Sequence, residues 1–190
     1  MLFNPHLIEI VRNETEHAVQ GEEVDLEYLK LQCPQLNAIW TETLRMSTSA
    51  ASFRFIKEDT TVNGKILRKD SALIIPARRL QFDPDMFGAD VENFRHERFL
   101  AGKSLARSRS MRPFGGGFNH CPGRFAAQQQ TLIFVALLLH RYDIELVGKL
   151  KFPRWEEGEP FPGIMAAKDH DDLTIRLRVR QTSCSGGVKS

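Results

Sequence analysis

The chain has 190 residues, of which 42% are hydrophobic and 26% charged, a composition typical of a folded protein and not of a disordered one. Its net charge of +2 is too small to indicate a nucleic-acid partner. The three cysteines lie far apart with no CxxC pair, which argues against a disulfide framework or a zinc ribbon, and the longest apolar run, residues 131–139, is too short to span a bilayer.

The N-terminal part of the chain predicts three helices, over residues 5–21, 25–31 and 34–46. The pair Asn4-Pro5 marks the first start, because proline is favoured at the first helical position. In the third helix an apolar stripe recurs at helical spacing. Its members are Leu36, Ile39, Trp40 and Leu44.

The period then changes to one typical of strands. Residues 51–80 are rich in β-forming residues, and Asn63-Gly64 is a strong hairpin signal. The pattern indicates surface turns at 82–100, a basic loop at 101–112, a long helix from just after Cys121 to about His140, and two final strands at 142–147 and 173–180.

The most unusual stretch is "RPFGGGFNHCPGRFAA", residues 112–127. A phosphate-binding loop would need G-x-x-x-x-G-K-[ST], but Gly117 and Gly123 are one residue too far apart and Arg124-Phe125 replaces the Lys-Ser/Thr pair. A dinucleotide-binding G-x-G-x-x-G also fails, because His120 stands where the third glycine should be. Both nucleotide interpretations therefore fail on spacing.

Three interpretations of Cys121 remain: a structural cysteine, a nucleophile and a heme ligand. A free cysteine is most often a buried structural residue. This one is predicted at the start of a helix, where free N–H groups and the helix dipole favour a thiolate, and the glycines clear side chains from its approach. A nucleophile would need a base, and the adjacent His120 is poorly placed for that. A large flat partner such as heme, for which cysteine is an axial ligand, accounts better for the glycines.

These residues resemble the heme-binding loop of the cytochrome P450 family, Phe-x-x-Gly-x-x-x-Cys-x-Gly, with Phe114, Gly117, Cys121 and Gly123 in register. The resemblance implies heme b (iron protoporphyrin IX) as cofactor and Cys121 as the axial ligand of its iron, with the other three residues as part of the heme-binding loop. It implies no separate catalytic side chain in this chain.

Two upstream motifs match the family in the same order. "ETLR" resembles its Glu-x-x-Arg signature, with Glu42 and Arg45 on one helix face. "FRHERF" resembles its aromatic-x-Pro-x-Arg-Phe signature, with His96 in place of the proline and Arg98 as the arginine. On spacing alone Glu42 and Arg45 would be an exposed ion pair. The resemblance implies instead a buried structural triad of Glu42, Arg45 and Arg98 beneath the heme.

Further positions carry over from the family less directly. Arg54 and Arg112 stand where family members often place arginines for the heme propionates, against the alternatives of an exposed strand arginine and an ordinary loop arginine. Asn119 stands where Arg or His is common. Residues 48–52 and 160–165 match segments that line the substrate pocket, or are an ordinary turn and an ordinary surface loop.

The resemblance implies a fold class of α+β, mainly α, as the C-terminal portion of the P450 fold: residues 1–180 would form a C-terminal fragment of a P450 domain and 181–190 a disordered tail. No segment resembles the family's long oxygen-handling helix. None resembles its N-terminal membrane anchor either, the segment by which full-length eukaryotic relatives are usually held at the endoplasmic reticulum. Two functions are therefore expected, a heme-thiolate monooxygenase acting on an apolar small molecule or an inactive truncated remnant of one. A basic run beside the heme loop is either the docking surface of a reductase or an ordinary solvated loop. That run comprises Lys103, Arg107, Arg109 and Arg112.

Overall fold

The protein is described by a computed structural model over residues 1–100, 103–117, 120–148, 151–155 and 163–180. The chain forms two compact units. The first consists of Met1–Asn37, Phe125–Arg154 and Ala167–Ser190, and the second of Ala38–Arg124 and Trp155–Ala166. The helices are α1 (Pro5–Thr15), α2 (Leu26–Leu31), α3 (Pro34–Ser47), α4 (Ala77–Gln81), α5 (Pro84–Phe87), α6 (Lys103–Ala106) and α7 (Arg124–Arg141). The strands are β1 (Val19–Gln20), β2 (Glu23–Val24), β3 (Ala51–Phe55), β4 (Thr60–Val62), β5 (Lys65–Leu67), β6 (Ala72–Pro76), β7 (Tyr142–Val147) and β8 (Thr174–Val179).

The first unit begins as the sequence predicts, with Asn4 capping α1 by accepting the Leu7 N–H at 3.3 Å. The predicted continuation of this helix to Gly21 is wrong. The α-helix ends at Thr15, and Val19–Gln20 pairs with Glu23–Val24 in a hairpin that turns at Gly21, where φ is +63°. Ala18 and Val19, which the predicted helix would include, are both buried, Ala18 at the end of a short 3-10 turn and Val19 in the hairpin.

The N-terminus of α3 is capped from another helix of the same unit. The Glu14 carboxylate accepts the backbone N–H groups of Gln35 at 2.9 Å and Leu36 at 3.1 Å, which have no partner within the helix. The buried Cys33 thiol donates to the Glu14 carbonyl at 3.2 Å. Burial, followed by the charge of Glu14, raises the pKa of this thiol to about 11. Cys33 is thus a structural cysteine.

The C-terminus of α7 is held by arginine. The Arg12 side chain donates to the carbonyls of Leu139 at 3.1 Å and Tyr142 at 3.2 Å, and so satisfies groups that the helix end leaves unpaired. β7 follows directly and pairs antiparallel with β8, as the tail pattern predicts. None of the helices in the described ranges has the length and apolar character that crossing a bilayer requires.

The second unit contains the remainder of α3, two small antiparallel sheets and a compact winding segment. β3 pairs with β6, and β4 with β5 through the predicted Asn63-Gly64 turn. Residues 77–80, which the pattern places in the β-rich segment, belong to helix α4, and the segment predicted as a basic loop contains the short helix α6.

The turn signals at 82–100 predict a course over the surface, but part of this segment is buried. Phe87 and Val91 are buried with Leu44 and Met111 in one hydrophobic cluster, which places this winding segment against α3. The turn residues set its path, and two apolar side chains between them bind it to the core. The unit therefore combines α3, the winding segment and residue 111 around a single cluster.

Candidate functional site

A buried ion cluster lies at the centre of the second unit. The Glu42 carboxylate accepts from Arg45 Nε at 2.7 Å and Arg45 Nη2 at 2.8 Å, and from Arg98 Nε at 3.1 Å. The Arg45 and Glu42 side chains are 0% exposed and that of Arg98 is 2% exposed. The backbone N–H of Arg95 adds a fourth donor at 2.9 Å. The structure thus brings together the three residues that the two upstream motifs single out.

Further N–H groups of the two arginines donate to backbone carbonyls at the end of α4 and in the winding segment, residues 82–100. Arg45 Nη1 donates to the Gln81 carbonyl at 3.0 Å. Arg98 donates to the carbonyls of Phe87 and, at 3.2 Å, Asn93. Because both guanidinium groups bond Glu42 and these carbonyls together, the cluster fixes the path of residues 81–98 relative to α3.

His96, which stands at the proline position of the family motif, is itself nearly buried. Its Nδ1 lies 3.4 Å from Glu97 Oε2, and its ring stacks on Phe94 with centroids 6.4 Å apart. With His96 in place of the motif's proline, Arg98 still pairs with Glu42 in the buried ion cluster.

The glycine-rich loop is fixed by its backbone while its thiol stays exposed. The Cys121 N–H donates to the Phe114 carbonyl at 3.0 Å, and Arg124 Nη1 donates to the Cys121 carbonyl at 2.8 Å. Phe114 packs against the hydrophobic cluster, which secures the start of the loop. Gly117 has φ +67°, a conformation that glycine adopts without strain. The Cys121 side chain is exposed, and a Cβ at Gly123 would stand 3.7 Å from its sulfur.

A cavity of about 280 Å³ opens beside this loop. Both propionate candidates of the sequence, Arg54 from β3 and Arg112 from the loop, line it, together with Gly115, Gly116 and Gly117. Arg54 Nη1 donates to the Phe53 carbonyl at 2.7 Å and Arg112 Nε to the Arg109 carbonyl at 2.7 Å. Among the described residues neither guanidinium forms an ion pair with a carboxylate.

The second of the three glycines makes room for a side chain of this chain. A Cβ at Gly116 would come 3.0 Å from Arg112 Cζ and closer still to Nη1. The absence of a side chain at Gly116 therefore lets the Arg112 guanidinium occupy the wall of the cavity.

Sequence reasoning missed one buried residue of this region. Gln81 is 0% exposed and bonds α3 through its side-chain nitrogen and the Arg112 N–H through its side-chain oxygen. A lone glutamine at the end of an apparent strand gives no periodic or motif signal, so nothing in the sequence could have singled it out.

The two segments expected to line a substrate pocket lie side by side. The Ser49 N–H donates to the Gly163 carbonyl at 2.9 Å, the Met165 N–H donates to the Ser47 carbonyl at 2.7 Å, and Thr48 and Ile164 form a β-bridge. Residues 160–162 of the second segment lie outside the described residues, as do Asn119 and the tail at 181–190, and the Lys103 side chain is likewise not described.

The donors present in this unit fit an iron porphyrin. A cysteine sulfur is a ligand for iron, and its exposure on a loop of small residues leaves it open to a flat macrocycle. Two arginines that line one cavity, with no carboxylate partner in the described part of the chain, match an anionic group such as a porphyrin carboxylate. Gly115, Gly116 and Gly117 of the loop that carries the thiol line the cavity, so a ligand in the cavity borders that loop.

Comparison with known proteins agrees with this chemistry. The sequence profile of the family described as "Cytochrome P450" matches residues 1–174. The chain is 36% identical over 158 residues to the cytochrome P450 monooxygenase poxD of Penicillium oxalicum, a match that covers 78% of this chain and 32% of that protein. It is 34% identical over 148 residues to a bifunctional cytochrome P450/NADPH--P450 reductase of Gibberella moniliformis, covering 76% of this chain and 13% of that protein. The structure of a retinoic acid-bound cyanobacterial CYP120A1 superposes with a TM-score of 0.76 at 24% identity, covering 93% of this chain and 39% of that one.

Proposed function

The chain belongs to the cytochrome P450 family, and we propose on that premise that it binds heme b through Cys121 as the proximal, thiolate-bearing part of a monooxygenase. One observation carries the proposal: an exposed cysteine lies on a loop whose backbone is fixed, and that loop borders a cavity with two arginines that have no carboxylate partner among the described residues. The family match implies heme in general, and the thiol and the two cations indicate how this chain would hold it.

Cys121 would bind the iron, and the loop around it would keep the sulfur accessible. The hydrogen bond from its N–H to Phe114 and the one from Arg124 to its carbonyl fix the backbone on both sides of the side chain. Gly123 leaves the side of the sulfur nearest to it uncovered. Gly117 turns the backbone without placing a side chain over the site.

Arg54 and Arg112 would bind the two carboxylates of the porphyrin. Each guanidinium uses one N–H on a neighbouring carbonyl and retains further donors for an anion. In a partly enclosed cavity such charge-assisted hydrogen bonds are worth more than on an open surface. Glu42, Arg45 and Arg98 would act at a distance, as a rigid support for the winding segment beneath the loop.

When bound, the heme supplies the oxygen chemistry, because thiolate donation to the iron favours O–O cleavage and so permits oxidation of an apolar substrate with O₂ and two electrons. The chain's own contribution to substrate binding would come from the paired segments at 48–52 and 163–165. Their backbone hydrogen bonds hold them together, and Ile164 is 57% exposed, a large apolar side chain available to an apolar substrate.

Electrons would come from a reductase. Relatives such as the bifunctional cytochrome P450/NADPH--P450 reductase carry such a partner by name. In this chain Arg107 and Arg109 are exposed close to the heme loop, and an acidic reductase surface would be attracted to them.

The chain spans about a third of the length of poxD. Substrate oxidation is therefore proposed for the whole protein, in which residues 1–180 form the C-terminal part of a P450 domain. A second candidate function, favoured by that same coverage, is heme binding without turnover by this chain on its own.

Reconstitution with hemin tests the proposal. We expect the reduced, carbon monoxide-bound chain to give the thiolate-type Soret band, which Cys121→Ala abolishes and Cys184→Ala, the matched thiol control, retains. If both variants kept the band, ligation of the iron by Cys121 would be contradicted. Product formation with NADPH and a reductase then separates the two candidates, since heme binding alone gives the band without product.

A further inference from the structure

We infer that Gln81 is a positioning residue for the carboxylate-binding arginine of the loop. Its side-chain amide holds the backbone of Arg112, and through it the guanidinium that lines the cavity. The inference rests on the proposed heme binding and adds a residue that neither the family motifs nor the sequence pattern identifies.

The Gln81 amide is bonded on both sides. It ends helix α4 and is fully buried. Its Nε2 donates to the carbonyl of Arg45 at 2.8 Å and, more weakly, to that of Leu44 at 3.4 Å. Its Oε1 accepts the Arg112 N–H at 3.3 Å. The side chain thus joins the end of α3 to the first residue of the glycine-rich loop.

The bond to α3 fills a specific need. The Arg45 carbonyl lies in the last turn of α3, where carbonyls lose their partners within the helix. The N–H of Ser49, which would satisfy it if the helix continued, donates instead to Gly163. Gln81 supplies the missing donor, so its nitrogen is anchored on a helix that the buried ion cluster also holds.

An amide is the side-chain group that this position needs. An amide presents a donor and an acceptor on one planar group, and Gln81 uses both. An ionised glutamate could accept from Arg112 but could not donate to α3. Methionine has nearly the same length and no strong hydrogen-bonding group, so it keeps the packing and removes both bonds.

The effect reaches the cavity through Arg112. With its N–H on Gln81 and its Nε on the Arg109 carbonyl at 2.7 Å, Arg112 is fixed at its backbone and along its side chain. Its guanidinium then stands in the space that Gly116 leaves open. A series of contacts therefore runs from Glu42 through Arg45 and Gln81 to Arg112, and it links the buried ion cluster to the cavity.

A role confined to capping α3 would make a different prediction. It would lower the stability of the chain and weaken every ligand alike. A positioning role through Arg112 weakens only ligands that carry a carboxylate for that arginine. The two roles are therefore separated by comparing two porphyrins.

The experiment measures the Kd of the full chain for hemin and for hemin dimethyl ester, whose carboxylates are blocked, by absorbance titration. The ratio of the two Kd values cancels any change in the folded fraction. We expect Gln81→Met to weaken hemin binding about two- to tenfold, the effect of one or two lost hydrogen bonds, and to change the ester Kd less than about twofold. Gln130→Met, an exposed glutamine of α7, is the matched control and should leave both constants unchanged.

A double-mutant cycle identifies the route. In an Arg112→Ala background, Gln81→Met should no longer change the ratio of the two Kd values. The inference would be overturned if Gln81→Met raised the Kd of both porphyrins equally, or if it changed the Kd ratio as much in the Arg112→Ala background as in the wild type. Either result would leave the proposed function intact. A wild-type chain that binds neither porphyrin would overturn the proposed function and this inference with it. If Gln81→Met does not fold, Gln81→Asn takes its place with the same expectation, because an amide one methylene shorter cannot span both bonds.

Discussion

Replacing Glu42 by glutamine tests the buried ion cluster most sharply. The carboxylate accepts three hydrogen bonds from Arg45 and Arg98 and one from the Arg95 N–H, and the Glu42, Arg45 and Arg98 side chains are buried away from water. Glu42→Gln keeps the shape of the side chain but removes the negative charge. It also turns one acceptor into a donor that faces a guanidinium.

The expected cost is large because Arg45 loses its carboxylate partner and Arg98 loses the closer of its two, Asp90 Oδ1 remaining at 3.5 Å. Removal of one partner from a buried ion pair typically costs about 3–5 kcal/mol of unfolding free energy. For a chain of this size each kcal/mol shifts Tm by about 2–4 °C, so the decrease in Tm should be about 6–20 °C. The loss falls on α3 and the winding segment, which share the cluster.

The assay is urea and thermal unfolding followed by circular dichroism, with Glu145→Gln as the matched control. Glu145 pairs with Arg176 at 3.0 Å on an exposed strand surface, where an ion pair is worth about 0–1 kcal/mol. The same chemical change should therefore be nearly neutral there. If Glu42→Gln unfolded with a free energy within 1 kcal/mol of that of Glu145→Gln, the cluster would not be the support described above.

Two further perturbations probe the loop and the buried thiol. Gly116→Ala should displace the Arg112 guanidinium and weaken hemin binding relative to its dimethyl ester about two- to tenfold. Gly148→Ala adds a methyl group with nothing within 4 Å; its φ of +91° strains the backbone, but the ratio of the two Kd values cancels a change in the folded fraction, so that ratio should stay unchanged. Because the pKa of Cys33 is raised from 9.0 to about 11 in the folded chain, its contribution to stability is complete below pH 9 and is lost as the pH rises through 11. The free energy of unfolding should fall by up to about 1.4 kcal/mol per pH unit in that window, and Cys33→Ala should show no such decline from this residue. An equal decline in Cys33→Ala would rule out the thiol as its source.

Most regular elements follow from local sequence signals. Asn4-Pro5 and Asp25 cap helices where predicted, Asn63-Gly64 turns a hairpin, and the boundaries of α3 and of the final strands agree with the pattern within a few residues. These signals are strong because each rests on one residue's backbone preference or on an uninterrupted period.

The failures occur where long-range packing overrides local preference. Val19 fits a helical stripe, but pairing with Val24 buries it in a hairpin. The segment at 82–100 contains many turn-forming residues, but its course is fixed by hydrogen bonds from Arg45 and Arg98 and by the burial of Phe87. Local propensity carries no information about such long-range contacts.

The candidate site divides in the same way. Cys121, its glycines and the three charged residues are visible because motif spacing places them in register. Gln81 is not, because its role depends on a helix end, a loop and a buried amide that meet only in the folded unit. A motif reveals residues whose chemical type the ligand or ion pair requires. A residue such as Gln81, which joins two elements by hydrogen bonds, is recognised only from the folded geometry.

X-ray absorption at the iron edge of the hemin-loaded chain identifies the atoms bound to the metal and so tests ligation by Cys121 itself. We expect one sulfur scatterer in the wild-type chain and in Cys184→Ala, and no sulfur scatterer in Cys121→Ala. A first shell of nitrogen and oxygen alone in the wild-type chain, or a sulfur that persists without Cys121, would contradict it.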